Sequence, residues 1–321
     1  MSAQPRKTVA HAAALTLAAV LLLAGCASHR QAPDAPAASR PAATFPVTVT
    51  PPGGKPLTIA NRPRRIVSLS AADTEILFAV GAGKQVVAVD KQSDYPPQAP
   101  HTKLDAISPS PESIAAYHPD LVIASNDMAN LVSNMAKVKI PVLILASPKT
   151  IDAAYQEWSL IGRITGHKAD ADGVVEHAKN QISSIVAKTP KPAKPLSYYH
   201  ELDPTYYTVT SKTFLGQVYS LFGLRNVADP ADSAAAAGYP QLSAEQVLHA
   251  NPDLIFLADT RCCSQSAKTV AARPGWNTLN AVRDGNVVSL NDDIASRWGP
   301  RIVTLVKTVA AAVTKASKHG E

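Results

Sequence analysis

A phrase that occurs twice constrains this chain more than any other feature. Ser110-Pro111-Glu112 is followed, seven residues after its glutamate, by Pro119-Asp120-Leu121. Ser243-Ala244-Glu245 is followed at the same interval by Pro252-Asp253-Leu254. In each copy the serine caps a short helix, the glutamate sits in its first turn, and the proline ends it ahead of a buried strand. Two copies about 130 residues apart point to two related α/β lobes instead of a short-period solenoid. The length of 321 residues exceeds one typical domain and agrees with two.

Around these phrases the chain alternates short apolar runs with helical stretches. Arg65 to Leu69, Val86 to Val89, Leu121 to Ala124 and Val142 to Leu145 read as strands, and Leu254 to Leu257 and Val287 to Leu290 repeat the pattern later. Continuous apolar strands separated by helices indicate parallel sheets covered on both faces. Asp73 and Glu75, ahead of Ile76, Leu77 and Phe78, mark a helix start. Between the two phrases, Ile151 to about Lys188 lacks proline and has helical spacing, interrupted only around Gly162 to Gly166. Val174, Ile182 and Ile185 share one face of its second half, as in a strut joining two lobes or an ordinary peripheral helix.

The N-terminus reads as an address. Arg6 and Lys7 precede an apolar run from Ala12 to Leu23 that is too short for a comfortable membrane span, so residues 1–25 are expected to be a signal peptide. Leu23-Ala24-Gly25-Cys26 resembles a bacterial lipobox, in which the cysteine is acylated; lipid chains hold a protein at a membrane surface by burying methylenes. Residues 26–44 then read as a lipidated Cys26 and a flexible tether of Ala, Pro and Ser. The expected location is the cell membrane, lipid-anchored and facing outside the cytoplasm.

The chemistry is mostly a record of absences. There is no Gly-x-Ser-x-Gly, no phosphate-cradling loop and no His-Glu-x-x-His, and nothing pairs a nucleophile with a base. Nine scattered histidines do not propose a metal site, and a net charge of +6 without a basic run does not propose nucleic acid. The chain reads as a binder, not an enzyme. Its aromatic residues, only 5% of the total, gather after strands, where open α/β sheets place ligands. Ser93, Asp94 and Tyr95 follow one strand, and Asp293, Arg297 and Trp298 follow the last one; Tyr207 and Tyr239 stand in loop-like stretches. Flat side chains suit a large planar or conjugated ligand. Tyr198 and Tyr199 are expected in a strand, one facing the core and one facing solvent. The adjacent Cys262 and Cys263 either form a vicinal disulfide or stay as buried thiols.

From Arg65 to about Val313 the chain resembles the substrate-binding proteins of ABC importers for cobalamin and iron complexes. The matching phrases are Arg65-Ile-Val-Ser-Leu-Ser70, Asp73-Thr-Glu75, Ser93-Asp-Tyr-Pro-Pro97, Glu112 with Pro119-Asp-Leu-Val122, Glu245 with Pro252-Asp-Leu254, and Pro300-Arg301. The resemblance implies a bilobed fold, an N-terminal α/β lobe over 45–165, one long rigid connecting helix over 166–190, and a C-terminal α/β lobe over 191–321. It places the ligand in the cleft between lobes. It implies no catalysis, no resident metal or cofactor, and a monomer that delivers a metal-chelate cargo to a permease dimer with its ATPase subunits. Glu112 and Glu245 fall where relatives dock onto permease arginines. Tyr207 and Tyr239 fall at aromatic ligand contacts of the cobalamin-binding branch, and Asp293 at an acidic one. At three further cleft-aromatic positions this chain has Gln92, Ala106 and Ser125. A ferric siderophore or haem is the alternative cargo, with Arg297 pairing an anionic complex and His200 or a tyrosine holding haem iron. A surface metalloenzyme or hydrolase and an adhesion lipoprotein are more remote.

Overall fold

A computed structural model describes residues 44–51 and 55–318. The leader, Cys26 and the tether up to residue 43 lie outside the described residues. The strands are β1 (Val47–Val49), β2 (Leu57–Ile59), β3 (Ile66–Leu69), β4 (Val86–Val89), β5 (Leu121–Ala124), β6 (Val142–Ile144), β7 (Ser197–Glu201), β8 (Arg225–Asn226), β9 (Leu254–Leu257) and β10 (Val287–Ser289). The helices are α1 (Ala71–Ala79), α2 (Pro111–Ala115), α3 (Leu131–Lys137), α4 (Ile151–Thr165), α5 (Lys168–Lys188), α6 (Phe214–Ser220), α7 (Ala244–Ala250), α8 (Ala267–Ala271), α9 (Asn280–Arg283), α10 (Asp292–Ala295) and α11 (Ile302–Ser317).

Two four-stranded parallel sheets form the body, in the orders β4-β3-β5-β6 and β8-β7-β9-β10. Numbered within its own half, each sheet therefore reads second-first-third-fourth. The twice-written phrase explains part of this sameness. Ser110 and Ser243 cap α2 and α7 by accepting the N–H of Ser113 and Gln246. His118 and Asn251, each just before the proline, both take positive φ, 47° and 44°. Asp120 then accepts the N–H groups of Arg64 and Arg65 at the start of β3, at 2.7 and 3.0 Å. Asp253 does the same for β7 through the N–H and hydroxyl of Ser197, at 2.8 and 2.7 Å. A carboxylate at the foot of the third strand thus fixes the start of the first in both halves.

Both sheets are buried on both faces, as their apolar strands require. One continuous core runs from Ile66 and Leu121 of the first sheet, through Trp158, Ala171 and Val309, to Tyr198 and Phe256 of the second. Separate clusters cover the outer faces, around Val67 and Val122 in the first lobe and Tyr199 and Ile255 in the second. Tyr198 and Tyr199 point to opposite faces of β7, but both are buried, so the expectation that one meets solvent is corrected: α8, α9 and the Trp276 turn cover that face. Helices α4 and α5 pack closely at Gly162, where an added Cβ would fall 2.2 Å from the Cβ of Ala171. Gly166, at φ +79°, turns the chain between the two helices. The connecting element is α5, and it does not act alone, because α11 returns from the second half and packs along it. Among the described residues no helix is long and apolar enough to cross a membrane.

Candidate binding cleft

The C-terminal ends of β3, β4 and β5 open into a hollow of about 340 Å³. It lies where the chain, having passed from β3 to β4 on one side, crosses back to β5 on the other, the position at which open α/β sheets take ligands. Its first-lobe wall is low and small: Ser70, Ala71, Ala72, Ala106 and Ser125, with Gln92 beside them. Asp293, Ser296, Arg297 and Trp298 of the second half face this wall. The three positions where resembling proteins carry aromatics are therefore cleft positions here, filled by small or polar side chains.

The loop after β4 is tied down by Ser93. Its hydroxyl donates to Asp90 at 2.5 Å and lies 2.9 Å from that of Thr74, so Ser93 is a buried loop-fixing residue and not a contact surface. Asp94 reaches across to Arg297 at 2.9 Å. Partial burial lifts its pKa, but Arg297 outweighs that and holds the carboxyl below its ordinary value. Tyr95 points elsewhere. Its ring lies under the Arg301 guanidinium, 4.0 Å from centroid to carbon. There it lines a side groove of about 1220 Å³ between α1, α5 and α11. The groove is larger than the cleft hollow but does not open at the strand ends.

Arg297 is 8% exposed and makes four bonds. It donates to Glu75 at 3.0 Å, Asp94 at 2.9 Å, the Gln92 carbonyl at 2.9 Å and Asp293 at 3.0 Å. Arg301 adds a second guanidinium on Glu75, with its Nε at 2.9 Å. A charge this buried needs such partners. They join the halves, so the expectation of Arg297 as a free cation for an anionic iron complex is corrected. Trp298 is likewise a joint: its indole N–H donates to Glu157 at 2.5 Å, and its carbonyl accepts from Trp158 at 3.0 Å. Burial first, then the neighbouring Asp73, pushes Glu157 up to about 10, while burial lifts Asp73 to about 6. This pair of carboxyls therefore keeps a proton at neutral pH.

On the second half, Tyr207 and Tyr239 stand on the two arms of an antiparallel ribbon in which Tyr207 pairs with Gln241 and Thr210 with Gly238. Both rings are exposed, at 43% and 48%. Asp293 is gripped from two sides, by Arg297 and by Arg261. At the strand ends of this sheet the counterpart of the first-lobe hollow is filled. Glu201 receives two 2.6 Å bonds from Arg273, and Asp259 lies beside it fully buried. His200 is also fully buried, 2.7 Å from the Tyr219 hydroxyl, and burial lowers its pKa to about 3. It is a core residue out of a ligand's reach, so its proposed role on haem iron is corrected. No group of three or more metal-binding side chains occurs among the described residues.

Glu112 and Glu245 lie outside the cleft, exposed in the first turns of α2 and α7. Its own N–H and the Ser243 hydroxyl lower the pKa of Glu245, which keeps it ionised. Sequence reasoning missed the roles of Glu75, Glu157, Arg261 and Arg301. The available signal was Glu75 itself, an ionisable group in a run too apolar to leave it unpaired.

Two like-ordered parallel sheets, joined through shared helices and with residues of both halves lining one hollow at the strand ends, are the architecture of a two-lobed binding protein. Comparison with known proteins agrees. The chain belongs to the periplasmic binding protein family, which it matches over residues 66–294. It is 30% identical over 310 residues to an ABC transporter substrate-binding lipoprotein of Bacillus subtilis, covering 94% of this chain and 95% of that one. It is 29% identical over 280 residues to the cobalamin-binding protein of Halobacterium salinarum, covering 84% and 75%. Among solved structures, the periplasmic vitamin B12-binding protein of Vibrio cholerae superposes with a TM-score of 0.66 at 26% identity, covering 80% of this chain and 99% of that one. The chain is a substrate-binding transport protein and not an enzyme.

Proposed function

We propose that this protein is a receptor that captures cobalamin or a closely related corrinoid outside the cytoplasm and delivers it to an ABC importer. The single observation that carries the ligand class is the likeness, along nearly the whole body, to proteins named for cobalamin and vitamin B12. The cleft is compatible with it: its first-lobe wall is low and built largely of small residues, and the second half carries two exposed rings, Tyr207 and Tyr239. In this reading Asp94, Asp293, Tyr207 and Tyr239 meet the ligand, while Ser93, Arg297 and Trp298 hold the walls in place and Tyr95 braces Arg301. Corrin metal is cargo here, not a resident cofactor.

Glu112 and Glu245 dock one lobe each onto cationic side chains of the two permease subunits, because paired arginine–carboxylate contacts fix orientation and register. Acylation of Cys26 keeps the receptor, as a monomer, at the membrane that holds its importer. Isothermal titration of the purified full chain with cyanocobalamin, haem and a ferric hydroxamate tests the ligand. Cyanocobalamin is expected to bind at about micromolar affinity or tighter. Binding of only haem or the ferric chelate overturns the corrinoid assignment, and binding of none overturns the receptor reading.

A further inference from the structure

Beyond β9 the chain builds a feature with no counterpart in the first lobe. After Leu257 it passes the fully buried Asp259, whose carboxyl lies against that of Glu201 and has its pKa raised by burial first and then by that neighbour. It then lays three successive N–H groups on one carboxylate. Those of Thr260, Arg261 and Cys262 donate to Asp292 at 3.0, 2.9 and 3.0 Å, and the Thr260 hydroxyl adds a bond of 2.8 Å. Partial burial would raise the Asp292 pKa, but these donors hold it below the ordinary value. The chain turns back at Cys262–Cys263, whose sulfurs are bonded to each other. The N–H groups of Cys263 and Gln265 return to the Asp259 carbonyl at 3.2 and 3.3 Å, with Ser264 at φ +56° closing the turn.

This turn is wired to the cleft. From its Arg261 an ion pair runs to Asp293, from Asp293 to Arg297, and from Arg297 to Asp94 and the Gln92 carbonyl of the first lobe. Neighbouring cysteines joined through sulfur close an eight-membered ring, which removes rotational freedom from the peptide between them. Cys262 is exposed and Cys263 half-buried, so an external thiol has access to the bond.

We propose that Cys262–Cys263 is a thiol-exchange site on the rim of the cleft, and that its oxidised form holds Arg261 on Asp293 and so fixes the second-lobe wall. The reductant is a dithiol. One of its thiolates attacks Cys262 Sγ, the S–S bond breaks, and Cys263 leaves as a thiolate that takes up a proton. The second thiol of the reductant then displaces Cys262, leaving two cysteine thiols and the reductant oxidised to its own disulfide. Two electrons and two protons pass to the protein. With the ring open, Ser264 leaves the left-handed region and the turn loosens from Asp292.

The effect on capture rests on the cleft being the ligand site; the exchange chemistry does not. The test uses the full chain purified from membranes under non-reducing conditions. Trypsin releases residues 262–268, and this peptide should resist alkylation before dithiothreitol and take two labels after it. Hydrogen exchange at Thr260, Arg261 and Cys262 should quicken about tenfold on reduction, while β7 and β9 stay protected. The double variant C262S/C263S should exchange at the fast rate with or without dithiothreitol. Two labels before reduction, or equal exchange in both redox states, overturn the site. Cyanocobalamin affinity should change by about threefold or more between redox states. Unchanged affinity alongside changed exchange overturns the coupling to the cleft. Changed exchange in a protein that binds none of the three ligands supports the exchange site and sinks the receptor reading instead.

Discussion

Trp298 is held at both ends, and the acceptor for its indole is a carboxyl that keeps its proton. Burial and Asp73 push Glu157 up to about 10, whereas in the unfolded chain it ionises near its ordinary value. Between those two pH values the folded state binds a proton that the unfolded state has released, so stability falls as pH rises. E157Q has no such proton to lose and retains an acceptor for Trp298. Its thermal midpoint should exceed the parent's at about pH 8–9, with the gap closing toward about pH 5; equal midpoints across that range would remove the shared-proton account. Residue roles of this kind were the least legible part of the sequence. Asp73 and Glu75 read as first-turn acids, and Asp73 does occupy that place on α1, with its N–H on the Ser70 cap. Nothing in a linear chain shows that Glu75 meets two arginines from more than two hundred residues away.

Single elements were more legible. The Ser-x-Glu and Pro-Asp-Leu phrases gave the short helices and the strands after them, since capping and proline act within a few residues. The interruption read around Gly162 to Gly166 falls at its far end, at Gly166. Helix α4 continues through Gly162 to Thr165, and the glycine is there because Ala171 of α5 lies against it. Periodicity alone does not separate a glycine that ends a helix from one that admits a neighbour. G162A should therefore overpack the crossing and cost about 1–3 kcal/mol, seen as a lower midpoint in urea. An unchanged midpoint would mean that α4 and α5 part easily, and that the lobes are joined less firmly than their common core suggests.

For the molecule as a whole, two related halves were written in the sequence twice over, but the manner of their union was not. A single bridging helix was expected. The structure adds α11, the arginine pair on Glu75 and an unbroken apolar core, all of which depend on contacts between distant segments. Docking is the prediction that belongs at this scale. E112A/E245A should leave cyanocobalamin affinity unchanged and abolish uptake by cells that rely on this receptor; undiminished uptake would remove the docking role. The shared strand order has one more consequence. Glu112 and Glu245 occupy matching places in like-ordered halves, each in the first turn of the helix that precedes its sheet's third strand. If the proposed docking holds, a transporter with two like subunits can be met in either of two poses, each lobe taking either subunit, with the cargo offered to the same pore.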